Sequence, residues 1–196
     1  MMELEKPKIV VFCGKPLSGK STIAKAVAEQ IGAYLVDIDD NVRTPLVGMP
    51  HPHPNKFEEL MQNDRLEMAA AYDLLFATIQ TYMARLKRSL VVTATFSRKA
   101  GGQDRLLSTW DSYKESVDLR VLWCNPRNFD DAEVLRRLAS RSFGVGGYIG
   151  GVNSLERVRE VEARFEPIMI PHIALDTSSP ENEHACIVQA LDYILN

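Results

Sequence analysis

Hydrophobic and polar positions along this chain alternate between two textures: short unbroken apolar runs, and longer stretches in which apolar residues recur every third or fourth place. Unbroken runs suit strands covered on both faces, as in a parallel sheet, and the sparser recurrence suits amphipathic helices. Ile9-Val10-Val11-Phe12-Cys13 opens the series, and Ile23, Ala24, Val27 and Ile31 follow at helical spacing. Tyr34-Leu35-Val36 reads as a second strand, Leu90 to Ala94 as a third, Leu119 to Trp123 as a fourth and Ile173 to Leu175 as a fifth. From Asn55 to Arg88 helix dominates, with Met68, Tyr72, Leu75, Phe76, Ile79, Met83 and Leu86 forming an apolar stripe. Further helical runs cover Asp130 to Arg141 and Ser154 to Phe165. This alternation predicts an α/β fold, a parallel sheet with helices on both faces. Ligands of such sheets sit beyond the carboxyl ends of the strands.

The segment joining the first strand to the first helix is Gly14-Lys15-Pro16-Leu17-Ser18-Gly19-Lys20-Ser21, which fits G-x-x-x-x-G-K-[ST]. Its glycines let the backbone curl so that successive N–H groups face a phosphate, and the helix behind adds the positive end of its dipole. Gly14, Lys15, Ser18, Gly19, Lys20, Ser21 and Thr22 are therefore candidate nucleotide-binding residues. Within that set Lys20 reaches the β- and γ-phosphates and the Ser21 hydroxyl faces Mg²⁺.

Phosphoryl transfer also needs a positioned acceptor, neutralisation of the transferred charge and exclusion of water. Asp37 and Asp39 stand two apart at the end of the second strand, so continued strand geometry projects both to one face. Asp39 is the expected acceptor-orienting group or general base, while Asp40 suits a helix cap. Arg43 could hold a polar part of the acceptor or pair with a nearby aspartate, and Arg65 and Thr95 complete the candidate acceptor side. Arg137 and Arg141 share one helical face and could clamp the phosphates; Glu133, four residues before Arg137, offers an ordinary helical ion pair instead. Between these helices lies Phe143 to Gly151, with five glycines in nine positions, either a flap over the site or a long turn.

Composition narrows the picture without changing it. At 196 residues one domain is expected, and a net charge of −3 gives no general attraction to nucleic acid or to anionic membranes. The polar stretch Met1 to Lys8 and the short apolar run after it suit neither a signal peptide nor a membrane span, so a cytoplasmic protein is expected, monomeric or homodimeric. Cys13, Cys124 and Cys186 are widely spaced and read as buried free thiols. His51 and His53 alternate with prolines in a stiff loop rather than forming a metal pair.

Taken together, Gly14 to Thr22, Asp39-Asp40-Asn41-Val42-Arg43, the strand and turn Val91 to Ser97, Arg137-Leu138-Ala139-Ser140-Arg141 and Leu175 to Pro180 resemble a group of P-loop kinases. That group contains shikimate kinase, gluconate kinase, chloramphenicol phosphotransferase and the kinase domain of polynucleotide kinase. The resemblance spans nearly the whole chain. It implies a P-loop NTPase three-layer sandwich, with five parallel strands in the order 2-3-1-4-5, over a single domain of residues 1–196. Residues 43–70 would then bind the acceptor and 136–153 form the lid. It further implies Mg-ATP as donor, the metal at Ser21 with Asp39 or Asp37 behind it, Thr177 beside the adenine, and a small-molecule hydroxyl near Asp39. Many of the group carry an aspartate at the end of the third strand where this chain has Thr93. Alternative expectations are a nucleoside or polynucleotide 5′-hydroxyl kinase, or a nucleotide-binding protein without transferase activity.

Overall fold

Every residue of β1 (Lys8–Cys13) is buried, as a strand with helices on both faces requires. The computed structural model describes residues 6–39, 64–86, 88–96, 102–140, 154–163, 165–166 and 168–196. Around β1 stand β2 (Tyr34–Asp37), β3 (Leu90–Thr93), β4 (Asp118–Cys124) and β5 (Ile173–Leu175), all parallel, in the order β2-β3-β1-β4-β5. The expected order and the expected five strands are therefore present, with ends differing by a residue. The described helices are α1 (Lys20–Ile31), α2 (Asp64–Thr81), α3 (Gly102–Asp111), α4 (Asp131–Ser140), α5 (Leu155–Ala163) and α6 (Asn182–Leu195).

The pleat sorts the core into two halves. Ile9, Val11, Val36, Leu90 and Val92 face one side, where Tyr72, Leu75, Phe76 and Ile79 of α2 and Leu106 of α3 cover them. Val10, Phe12, Val91, Leu122 and Leu175 face the other, beneath Ile23, Ala24 and Val27 of α1 and Ala190 and Ile194 of α6. Side chains of a strand point alternately to the two faces, so single-residue alternation along β1 makes three layers. Full burial of one such Leu, Ile or Phe is worth about 1.5–3 kcal/mol.

The long helical stretch departs from a uniform helix. Its described part starts at Asp64, and Tyr82–Leu86 closes as a π-helical turn. There Met83 stays in the core while Tyr82 stacks on Tyr34, ring centroids 5.1 Å apart, at the β2 edge of the sheet. The three cysteines are free and buried, as their spacing suggested. Burial pushes the Cys124 thiol up to about 12 and the Cys13 thiol well above its ordinary value. Among the described residues no helix is long and apolar enough to cross a membrane.

Candidate nucleotide and acceptor site

Directly after β1 the chain enters the glycine loop, and its backbone explains its residues. Gly14 has φ +149°, and a Cβ there would lie 2.5 Å from the Cys124 carbonyl oxygen and 2.8 Å from Ser18 Oγ. No side chain fits such a position. Leu17 also takes the left-handed region, with φ +62°. Gly19 (φ +83°) is the N-cap of α1 and makes no side-chain capping bond. The first-turn N–H groups of α1 are thus left without a side-chain cap, and helix N-termini of this kind receive anions. Lys20 is buried, and its Nζ reaches back 3.4 Å to the Lys15 carbonyl of its own loop.

Ser21 and Thr22 are exposed on the first turn of α1. Ser21 Oγ donates to Asp37 Oδ2 at 2.6 Å. The carboxylate that meets Ser21 is therefore Asp37, at the end of β2. Asp37 also accepts the Asp39 backbone N–H on Oδ1 at 2.9 Å, which turns the chain. Extended geometry stops at Asp37, so the continued strand geometry on which both carboxylates would share one face does not reach Asp39. An aspartate that bonds the backbone two residues on ends a strand in this way.

Arg137 is placed where α4 meets the glycine loop. Its Nη1 donates to the Leu17 carbonyl (2.8 Å) and its Nη2 to the carbonyls of Thr177 (2.5 Å) and Ser178 (3.2 Å), while Nε bonds Glu133. The helical ion pair with Glu133 exists, and the same guanidinium staples the loop to the segment after β5. Loop carbonyls and the Glu133 carboxylate thus engage the guanidinium that the expected clamp on the β- and γ-phosphates would use. The hydrogen bond from Arg136 first, then that from Arg137, hold Glu133 down to about 2 in spite of some burial. Thr177 lies beside this staple; its Oγ1 is buried without a hydrogen-bond partner, as is Ser18 Oγ.

Lys15 points the other way, its Nζ 2.5 Å from Glu162 Oε1 on α5. Glu162 also takes Arg159 Nη1, and Arg159 in turn bonds Asp131 Oδ1 at 2.6 Å. Burial works against the Glu162 carboxylate, but the hydrogen bonds from Lys15 and Arg159 outweigh it and hold its pKa below the ordinary value. The network joins the glycine loop to the helices α4 and α5.

On the expected acceptor side, Thr95 is half-buried and its Oγ1 lies 3.2 Å from the Tyr72 hydroxyl. Tyr72 is fully buried on α2 and accepts the Phe96 backbone N–H at 2.8 Å. Phe96 itself has φ +48°, a left-handed conformation that costs a non-glycine residue about 1–3 kcal/mol. Burial pushes the Tyr72 hydroxyl up to about 12, with Asp39 close enough to add to the shift. Sequence reasoning placed Tyr72 in the core stripe and missed this second role; a phenol within an otherwise apolar stripe was the available signal. Glu162 was missed as well, since nothing local links it to Lys15 across the chain. Arg43, Arg141, Asp40, the His51 and His53 loop and the segment Phe143 to Gly151 lie outside the described residues, as does the side chain of Arg65 on the first turn of α2.

A parallel sheet that carries this glycine loop from β1 into a helix without a side-chain cap, with an acidic turn at the end of β2 two strands away, is a P-loop nucleotide-binding fold. The chain belongs to the AAA domain family AAA_33, whose model matches residues 9–167. In fold it is similar to a candidate kinase of Chloroflexus aurantiacus J-10-fl, at 18% identity and a TM-score of 0.67, with 98% of each chain covered. It is similar also to the Mycobacterium tuberculosis APS kinase CysC in complex with AMPPNP and APS, at 17% identity and a TM-score of 0.57 over 95% of this chain and 98% of that one. A gluconokinase from Sinorhizobium meliloti 1021 shares 16% identity and a TM-score of 0.52 over 98% and 97% of the two chains. No curated protein sequence matches it.

Proposed function

We propose that the protein is an ATP-dependent kinase that transfers the γ-phosphoryl group to a hydroxyl of a small molecule. The observation that carries the reading is the meeting of Ser21, on the phosphate loop, with Asp37 at 2.6 Å, because it sets the acidic turn that continues to Asp39 against the phosphate loop. The kinases similar in fold, one of them in complex with AMPPNP and APS, support it.

In this reading the phosphates lie on the N–H groups of the loop and of the first turn of α1. Lys20 exchanges its long bond to the Lys15 carbonyl for the β- and γ-oxygens, and its charge stabilises the transferred group. Arg137 holds the loop against Thr177 and Ser178, so the adenine border and the phosphate cradle move as one piece. Asp39 orients the acceptor hydroxyl and takes its proton, with Thr95 and Arg43 as further acceptor contacts. Mg²⁺ fits the donor set, since the Ser21 hydroxyl and the Asp37 carboxylate are hard oxygen ligands, and Mg²⁺ sites of this kind are completed by phosphate oxygens and water. Bound there, the ion neutralises charge on the β- and γ-oxygens.

Asp39→Asn tests the assignment. It keeps the shape and removes the base, so transfer is expected to fall by about 10²–10⁴-fold while AMPPNP affinity stays as in the wild type. Full transferase activity in the Asn variant removes Asp39 from this role.

A further inference from the structure

Thr93 stands at the end of β3, where many of the kinases that this sequence resembles carry a carboxylate, and it is completely buried. Asp37 and Thr93 are register partners on adjacent parallel strands. Their neighbours Val36 and Val92 face the α2 side of the sheet, so the pleat turns Asp37 and Thr93 to the opposite side, toward the first turn of α1. Thr93 Oγ1 donates to Asp37 Oδ2 at 2.5 Å, the same oxygen that Ser21 Oγ meets at 2.6 Å. The other oxygen takes the Asp39 N–H. One carboxylate is thus held through both oxygens by donors from β3, from the phosphate loop and from its own turn.

We propose that Thr93 is a positioning residue: its buried hydroxyl fixes the Asp37 carboxylate against Ser21, so that the anionic group beside Mg²⁺ is supplied by β2 instead of β3. The proposal rests on the Mg-ATP reading above. Its physical basis is the exclusiveness of the two arrangements. A carboxylate at 93 would sit within bonding distance of Asp37 with no proton to offer it, and two like charges that close repel each other. A hydroxyl there instead donates a charge-assisted hydrogen bond, and a β-branched residue in a strand has few χ1 choices, so the donor is held ready. Thr93 accordingly holds the Asp37 carboxylate in place beside Ser21.

The test measures the affinity of AMPPNP by calorimetry, with and without MgCl₂, for the wild type, Thr93→Val and Thr93→Ser. Thr93→Val keeps the shape and loses the donor. Removing a partner that orients a metal-side ligand costs about 10–100-fold in metal affinity, so this variant is expected to lose that much of the Mg²⁺-dependent gain while the metal-free affinity and the cooperative melting transition show that the fold stands. Thr93→Ser, which keeps the hydroxyl, is expected to restore most of the gain. An undiminished Mg²⁺ gain in Thr93→Val, or an equal loss in Thr93→Ser, overturns the proposal and leaves the kinase reading in place. A wild-type protein that binds AMPPNP with no Mg²⁺ gain overturns the proposal as well, and one that binds no AMPPNP overturns the kinase reading and the proposal with it.

Discussion

The phosphate side and the proposed acceptor side of this site are built on opposite plans. The phosphate side is one continuous segment, Gly14 to Thr22, whose shape follows from its own glycines and from the helix it starts. The proposed acceptor side is assembled from the end of β2, the end of β3 and the middle of α2, from which Tyr72 reaches Phe96 and Thr95. A local motif carries its geometry wherever it is placed, whereas an assembled site depends on packing between elements. The first is suited to a fixed donor, and the second can be retuned to a new acceptor by changing a few core contacts.

The largest effect separating the two sides is expected from Lys20→Ala. Removing a preorganised charge of this kind costs on the order of 10²–10³-fold in turnover, and the loss should be the same for every acceptor, measured as ADP release. An acceptor-dependent loss would place Lys20 on the wrong side of the comparison.

Tyr72→Phe should act on the other side and less strongly. It leaves the buried Phe96 N–H without its acceptor, at a cost of about 1–3 kcal/mol, and releases a backbone held at positive φ. A lowered melting temperature and a raised KM for the acceptor, with KM for ATP unchanged, are the expected readouts.

The smallest effect concerns Glu162, whose pKa is depressed in the folded state by its hydrogen bonds from Lys15 and Arg159, against burial. A carboxylate with a depressed folded pKa contributes stability that is present above its unfolded value and is lost as pH falls through the folded one. Because the pair with Lys15 is partly exposed, the gap in stability between wild type and Glu162→Gln should be below about 1 kcal/mol at neutral pH. It should close as the pH drops below 4.5, the ordinary value for this group. Melting curves at pH 7 and at acid pH check the sign; a gap that widens in acid would be the wrong one.

The same contrast explains how much was legible in the sequence. The strands were readable because full burial on both faces writes an unbroken apolar run, as in Ile9 to Cys13, and the strand order came with the resemblance. The glycine loop was readable because its positive φ angles demand glycine at Gly14 and Gly19. Asp37 and Asp39 were recognisable as a pair, but that Asp37 meets Ser21 was not, since it depends on where β2 stops and on Thr93 across the strand gap. Arg137 and its ion pair with Glu133 were legible from helical spacing, yet its other partners are backbone carbonyls, which leave no trace in residue identity. The Lys15–Glu162 link spans residues whose proximity only the finished fold creates.

The most direct test of the central claim is ADP release from Mg-ATP by the purified protein against a panel of acceptors. The panel comprises sugars, shikimate-like acids, aminoglycoside and phenicol antibiotics, nucleosides and a short 5′-hydroxyl oligonucleotide. The account predicts that one class of small hydroxyl compound stimulates release and that Lys20→Ala removes the stimulation. Measurable ATP binding with a flat response across every class would contradict it and describe a nucleotide-binding protein that transfers nothing.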